Sequence, residues 1–483
     1  MAMLAIKFAL AASMVLPLSV QTVSKEMASH AQAAHEAEQR GDFLTAVHEY
    51  ESLIRMLPRS AEMHSNLGVA LYFDHQWDRA IAVFRQAIVL NPELLAPHLF
   101  SGLAWYQLSK PDAAVPELEA AIRIHSSDVI AHTWLGYAYS AQSRYEAAAA
   151  EFEEVSKLDP NNLDAWYSLG QSYLQIGNDE TRKLLMLAPD GGRAWQLAGE
   201  QAHLQGNQQK AREDFEQANA RRPEIPEVRV TLVAMGGKPT RSALDQRSET
   251  SREDEIYHRA HDAEQKSRSA FERVLSLAPD SYRAHQIMAY AFVTQEQYDK
   301  AIAEYRLVLN QKPDMPEVHE AIGNCLLRNG KTEEALHEFE AELRLQPYSA
   351  SANTNVGQVM LIMGRDNEAE KALTNALRMD RPPPEVYRLL GKLDLHRKDY
   401  SSAVRNLTRY LSMQKDDATA YYLLSRAYRG LGDQDQMKRS LSLFEKTSQD
   451  AKARSHAQGE LERLTNQSRI DDEVMKREPS SNN

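Results

Sequence analysis

The sequence predicts an all-α protein built from stacked helix pairs, a solenoid, and three observations carry that prediction. A small-residue pair, usually Leu-Gly, recurs every 34 residues as Leu67-Gly68, Ser101-Gly102, Leu135-Gly136 and Leu169-Gly170, and the same interval separates Val356-Gly357 from Leu390-Gly391. A fixed period of that length marks a repeat array. In register with it come an Ala, an aromatic or Leu four positions on, and then a Pro, as in Ala46/Tyr50/Pro58, Ala80/Phe84/Pro92, Ala148/Phe152/Pro160, Ala301/Tyr305/Pro313 and Ala335/Phe339/Pro347. Between these markers apolar residues fall at helical spacing, broken by a Gly or polar turn such as Gly41-Asp42 or Gly330-Lys331.

Each repeat therefore reads as two antiparallel helices. Small residues such as Gly68 and Ala80 let the two backbones approach, large ones such as Leu67, Tyr139 and Phe152 fill the space between neighbours, and Pro92 ends its unit because it cannot continue a helix. Units begin near Met27, Ala61, Leu95, Val129, Leu163 and Gly192, and a second block begins near Ser248, Tyr282, Pro316, Ala350, Pro384 and Ala418. In the fifth unit Pro189 arrives about five residues early, so the spacing predicts a short, separate helix from Asp179 to Leu187. Residues 226–253 carry the turn signal Gly236-Gly237-Lys238-Pro239 and then a polar, Ser-rich run, which predicts a linker between two blocks. The expected organisation is a leader over 1–24, a first block over 27–225, the linker, a second block over 254–445, and a capping helix with a polar tail over 446–483.

Residues 1–23 are apolar, with Lys7 ahead of the run Phe8–Val20. This predicts an export signal, giving a periplasmic or envelope protein, with an uncleaved membrane anchor as the alternative. The net charge of −12 is spread without long acidic runs, which argues against nucleic acid as the main partner. The single Cys325 lies among Leu326 and Leu327 and reads as a buried structural thiol.

Chemical motifs are sparse. His30, His64, His98, His132, His285 and His319 occupy the repeat slot that holds Trp166 and Trp195 elsewhere, so they read as packing residues rather than catalysts. His258 and His261 share a helix face and are the one candidate metal pair, supporting an alternative reading as a metal-binding protein or hydrolase, but no third ligand completes a zincin pattern. With no phosphate loop or nucleophile elbow, the sequence predicts a non-catalytic chain without a cofactor.

Trp166-x2-Leu169-Gly170-x2-Tyr173 resembles the opening signature of the tetratricopeptide repeat (TPR), and the wider pattern extends the resemblance from Met27 to about Glu445. The resemblance implies a right-handed α-solenoid of about twelve units in two blocks, whose first helices line a groove that binds peptides or partner proteins. Its groove slots fall on Tyr72, Phe73, Leu99, Leu103, Tyr106, Tyr137, Tyr167 and Gln171, an apolar and aromatic set. In the second block they fall on Arg388, Lys392, Arg426 and Arg429, a basic set suited to acidic peptides unless Glu385 or the acidic tail neutralises it. The implied function is a protein-interaction scaffold, with an accessory subunit of an envelope assembly as a variant of the same reading.

Overall fold

A computed structural model describes residues 25–204, 207–239, 251–379 and 382–458. The expected leader, the middle of the expected linker and the terminal tail lie outside the described residues. Among the described residues every regular element is an α-helix, and none is long and apolar enough to cross a membrane. The chain divides into two compact units between residues 108 and 127.

Unit 1 holds α1 (Lys25–Arg40), α2 (Phe43–Met56), α3 (Ala61–Phe73), α4 (Trp77–Leu90), α5 (Leu95–Gln107) and all but the first two residues of α6 (Pro111–Ile124). Each hairpin closes on a small residue facing a large one. A Cβ added to Gly68 would lie 2.3 Å from the Phe84 ring, and one added to Gly102 would lie 2.5 Å from Leu118. Phe84 and Phe100 are fully buried between successive pairs, each contributing about 1.5–3 kcal/mol of apolar burial.

Unit 2 contains α7 (Val129–Ala141), α8 (Tyr145–Leu158), α9 (Leu163–Leu187), α10 (Gly192–Leu204), α11 (Gln208–Arg221), α12 (Pro226–Ala234) and α13 (Arg252–Leu277). It continues through α14 (Tyr282–Thr294), α15 (Tyr298–Gln311), α16 (Val318–Arg328), α17 (Thr332–Leu345), α18 (Ala350–Ile362) and α19 (Asp366–Arg378). It ends with α20 (Glu385–His396), α21 (Tyr400–Met413), α22 (Ala418–Leu431) and α23 (Gln434–Gln458). The terminal helix α23 packs on α22 and also touches α10, so it is not wholly solvent-facing.

Among the described residues, nine hairpin turns are each marked by one residue with left-handed backbone, and these keep the 34-residue beat: Gly41, His75, Ser109 and Ser143, then Glu296, Gly330, Gly364, Lys398 and Gly432. The beat after Ser143 falls on Gly177, which is helical. The separate short helix expected from Asp179 to Leu187 therefore does not form, and α9 runs unbroken for 25 residues. The physical reason lies 90 positions further on. The 26-residue α13 packs along α9, so the second half of α9 is covered by another long helix instead of folding back on the first half.

This pairing makes a composite repeat. The first half of α9 supplies Gly170, whose place for a Cβ lies 2.6 Å from the ring of Phe271 in the second half of α13, and Ser267 donates a hydrogen bond to the Gly170 carbonyl at 2.9 Å. Leu163, Trp166 and Tyr167 accordingly pack against the core that runs from Phe271 to Leu393. Helices α10 to α12 form an inserted branch with its own small core of Ala202, Ala211, Phe215, Ala218, Ile225, Val228 and Leu232. The segment read as a linker thus interrupts the chain, while the helix stack continues directly from α9 to α13 and α14.

Five histidines tie the two helices of their repeats together. His30, His98, His132, His285 and His319 each place Nδ1 at 2.5–2.7 Å from the carboxylate 19 residues later, on Glu49, Glu117, Glu151, Glu304 and Glu338. His64, followed at that spacing by Val83, turns Nδ1 to the Ser60 carbonyl instead.

Candidate functional site

The groove slots expected in unit 1 are largely core. Tyr72 and Leu99 are each 6% exposed and Leu103 is fully buried, so these three fill space between helix pairs and offer no exposed wall. Phe73 is half-buried and lies in a ring cluster with Phe43 (5.1 Å), Tyr72 (5.4 Å) and Phe100 (5.9 Å). Tyr106 is also half-buried. Aromatic residues at these slots are satisfied by one another, which the sequence pattern alone does not distinguish from exposure.

In unit 2 the first helices of successive repeats build a more polar wall. The first half of α9 contributes Asp164, Tyr167 and Gln171, and α14 contributes Tyr282, Arg283 and Gln286. Arg283 is buried. Its Nε donates to Asp164 Oδ1 at 2.6 Å, its Nη1 donates to Gln286 Oε1 at 2.6 Å, and its guanidinium carbon lies 4.4 Å from the centre of the Tyr167 ring. The Tyr282 hydroxyl donates to the same Asp164 carboxylate. Burial alone would raise the Asp164 carboxyl, but Arg283 and the Tyr282 hydrogen bond outweigh it and hold it below the usual range.

Tyr137 on α7 and Tyr167 are half-buried, and Gln171 donates to the Tyr167 hydroxyl at 3.2 Å. Desolvation raises both phenols, Arg283 opposes it, and the nearby Glu317 carboxylate adds to it. Glu317 stands just before α16 with left-handed backbone, its N–H donating to Glu342 Oε1 at 2.8 Å. Its own carboxyl is raised first by desolvation and then by Glu342. Glu320, one turn on, accepts from Ser351 at 2.7 Å and Asn355 at 2.9 Å, both on α18. The wall thus brings together Tyr137, Tyr167 and Gln171 with Asp164, Arg283, Glu317 and Glu320.

The added residues had a signal in the sequence. Asp164, Tyr167, Arg193, Gln196 and Glu227 recur 90 positions later as Asp254, Tyr257, Arg283, Gln286 and Glu317. The structure pairs them crosswise. Arg193 Nε donates to Asp254 at 2.5 Å and its guanidinium covers the Tyr257 ring at 4.5 Å, mirroring the Arg283–Asp164–Tyr167 arrangement. Such reciprocity, in which each copy meets its counterpart through the same residues, is what an approximate twofold relation produces.

Family models match the helix-pair repeats. Models described as tetratricopeptide repeat match residues 32–94, 70–129, 101–155, 265–316, 288–350 and 418–443, and one described as TPR repeat matches 136–177. Together they take in more than half of the chain. This chain belongs to the tetratricopeptide-repeat family. The TPR protein MamA is 21% identical over 32% of this chain and 85% of its own, with a TM-score of 0.31. The pilF protein of Pseudomonas aeruginosa is 21% identical over 41% and 89%, with a TM-score of 0.35. YrrB, described as a TPR protein with an unusual peptide-binding site, is 17% identical over 44% and 94%, with a TM-score of 0.29. No curated protein matches the sequence.

At the other end of the TPR wall, the expected basic set is reduced by one member. Arg388 on α20 is clamped by Glu385 one turn earlier, with Nε at 2.9 and 3.0 Å from its two oxygens, and Asp417 lies 4.0 Å away. Lys392 is half-buried and Arg426 and Arg429 are exposed, and none of the three enters an ion pair or side-chain hydrogen bond among the described residues.

His258 and His261 do face the same way, but both rings lie against Tyr257, at 5.3 and 6.0 Å, and His261 Nε2 meets Gln265 at 2.9 Å. Among the described residues no group of three or more His, Cys, Asp or Glu is placed to hold a metal ion. Cys325 is buried, and burial pushes its thiol up to about 11.

Proposed function

We propose that this TPR protein is a non-catalytic interaction scaffold that holds a protein or peptide partner on the unit 2 wall. The observation that carries the reading is the set Tyr137, Tyr167, Gln171 and Glu317, brought onto one surface by the α9–α13 pairing. Half-buried phenols beside a polar amide and a carboxylate offer apolar area with polar ends, the composition of a recognition surface. Family membership supports the same reading, since TPR helix pairs present side chains for binding partners. Export to the cell envelope, proposed from Lys7 and the apolar run that follows, is a separate claim that fractionation of cells expressing the tagged chain checks.

Gln171→Arg combined with Glu317→Lys changes the wall without removing core atoms, because Gln171 is half-buried and Glu317, though the surrounding wall desolvates its carboxyl, keeps an exposed surface. Crosslinking of the tagged full chain in its native cells, followed by affinity purification, is expected to recover specific partners with the wild type and to lose them with the double variant at unchanged helicity. An identical partner set from both proteins would place the binding surface elsewhere.

A further inference from the structure

We infer that the chain's own carboxyl-terminal segment, residues 459–483, docks on the exposed face of α12 and seals the open end of the inserted branch, where a second helix would stand in a complete repeat. The contact is separate from the partner-binding role of the wall.

α12 is a first helix without its second. Val228 and Leu232 on one side join the branch core, while Val230 and Val233 on the other are 70% and 61% exposed. These two stand at the slots that Leu99 and Gly102 hold in α5, both of them buried, with Gly102 lying against Leu118 of α6. The stretch of chain after α12 is poorly suited to cover them. One period after Ala211 and Phe215, which α11 buries in the branch core, the sequence has Asp245 and Glu249. Carboxylates at the two positions that have to be buried carry a desolvation cost that no valine offsets. The next described helix, α13, pairs with α9 instead.

Where the described chain ends points to what covers the face. α23 runs to Gln458, and it touches α10, the first helix of the same branch. Residues 459–483 thus follow directly on a helix that already meets the branch. Their sequence carries Leu461 and Leu464, then Ile470 and Val474, aliphatic residues at helical intervals between charged ones. The segment has no Phe, Tyr or Trp. That composition suits Val233. In ordinary repeats this slot holds a glycine, which lets a ring or a leucine close on the backbone, as in Gly68–Phe84 and Gly199–Phe215. A branched side chain there keeps the covering helix at the wider spacing, about 8–10 Å between axes, at which aliphatic side chains interdigitate.

The size of the face decides between this segment and a separate protein. α12 has nine residues and is about 13 Å long. A stable interface between separate proteins buries on the order of 800 Å² on each partner, more than two valines on a helix of that length supply. A tethered segment needs far less, because its connection holds it at an effective concentration of roughly millimolar.

The test uses the full chain with Val233→Cys and Leu464→Cys and a short bismaleimide, the native Cys325 being buried. A crosslink within one chain, located by peptide mapping of the monomer band, is expected, and adding Leu461→Asp is expected to abolish it. In the chain without added cysteines, hydrogen exchange of the α12 amides is expected to quicken about tenfold or more in Leu461→Asp/Leu464→Asp, with α22 exchange and circular dichroism unchanged. Leu461→Ser/Leu464→Ser reads the same change without added charge. Equal α12 exchange in wild type and both variants, or no crosslink within the chain, overturns the inference. A crosslink found only between two chains overturns it in favour of a second copy seated on α12.

Discussion

Gly170 and Phe271 face one another although 101 positions separate them, and no room for a Cβ is left between them. In ordinary repeats the glycine and its ring are 16 positions apart, as in Gly68–Phe84, Gly136–Phe152, Gly199–Phe215 and Gly323–Phe339. Met186, which holds that position after Gly170, is 68% exposed. Phe271→Ala is therefore expected to cost about 3–5 kcal/mol, whereas Met186→Ala stays within about 0.5 kcal/mol of wild type. Urea denaturation of the two variants measures this, and comparable losses would show that the composite repeat is misassigned.

The same relationship makes the inserted branch separable. Leu163–Gln175 and Glu264–Leu277 have the helix lengths of a regular pair such as α7 and α8, of 13 and 14 residues. Replacing residues 176–263 by the turn Gln142-Ser143-Arg144 is expected to leave a cooperative thermal transition, with helicity reduced in proportion to the residues removed. A broad, non-cooperative melt would mean that the branch is needed to fold the stack.

The repeat period made the helix pairs and most of their boundaries legible, because the Gly, Ala and Pro that set the beat act locally. The α9–α13 pairing was hidden because it is non-local. Gly177 sits on the beat and carries the residue type of a turn, yet burial against α13 holds it in a helix. For the site, Tyr137, Tyr167 and Gln171 are half-buried, but the same slots in unit 1 hold the buried Val69, Leu99 and Leu103. Slot position sets which way a side chain points, and the size of its neighbours decides whether water reaches it. For Arg388 the alternative read from the sequence holds, since Glu385 one turn earlier pairs with its guanidinium.

Asp254 joins the branch to α13 through two cations. Arg193 Nε donates to it at 2.5 Å and Arg222 Nη2 at 2.9 Å, and the Asp254 and Arg193 side chains are 9% and 6% exposed. Asp254→Asn removes the carboxylate that the two guanidinium groups share, leaving Arg193 with Glu227 at 3.6 Å and Arg222 with Glu224 at 2.8 Å, so a loss of up to about 3 kcal/mol is expected in a denaturation that follows the branch. Burial alone would raise the Asp254 carboxyl, but Arg222, Ser251 and Arg193 hold it well below the usual range. A depressed folded value contributes stability that is present above the unfolded value, about 3.9, and is lost as pH falls through the folded one. The gap between wild type and Asp254→Asn is thus expected to be full at pH 6 and to shrink in acid; a gap constant down to pH 2 would contradict the assignment.

His98 titrates in the opposite sense. His98 Nδ1 lies 2.7 Å from Glu117, and its Nε2 lies 3.1 Å from the Pro92 carbonyl. The Glu117 hydrogen bond raises the imidazole against the opposing effect of burial. A histidine raised on folding contributes stability that is complete below its unfolded value, about 6.5, and disappears as pH rises through the folded value. Glu117→Gln removes the carboxylate and keeps the side-chain length. Its destabilisation is therefore expected to be largest near pH 5.5 and to fade above pH 8, where a neutral imidazole meets either side chain. Thermal melts of wild type and variant across that range check the sign. A penalty that does not change with pH would show that the pair acts through packing alone, and one that grows toward alkaline pH would contradict the assignment.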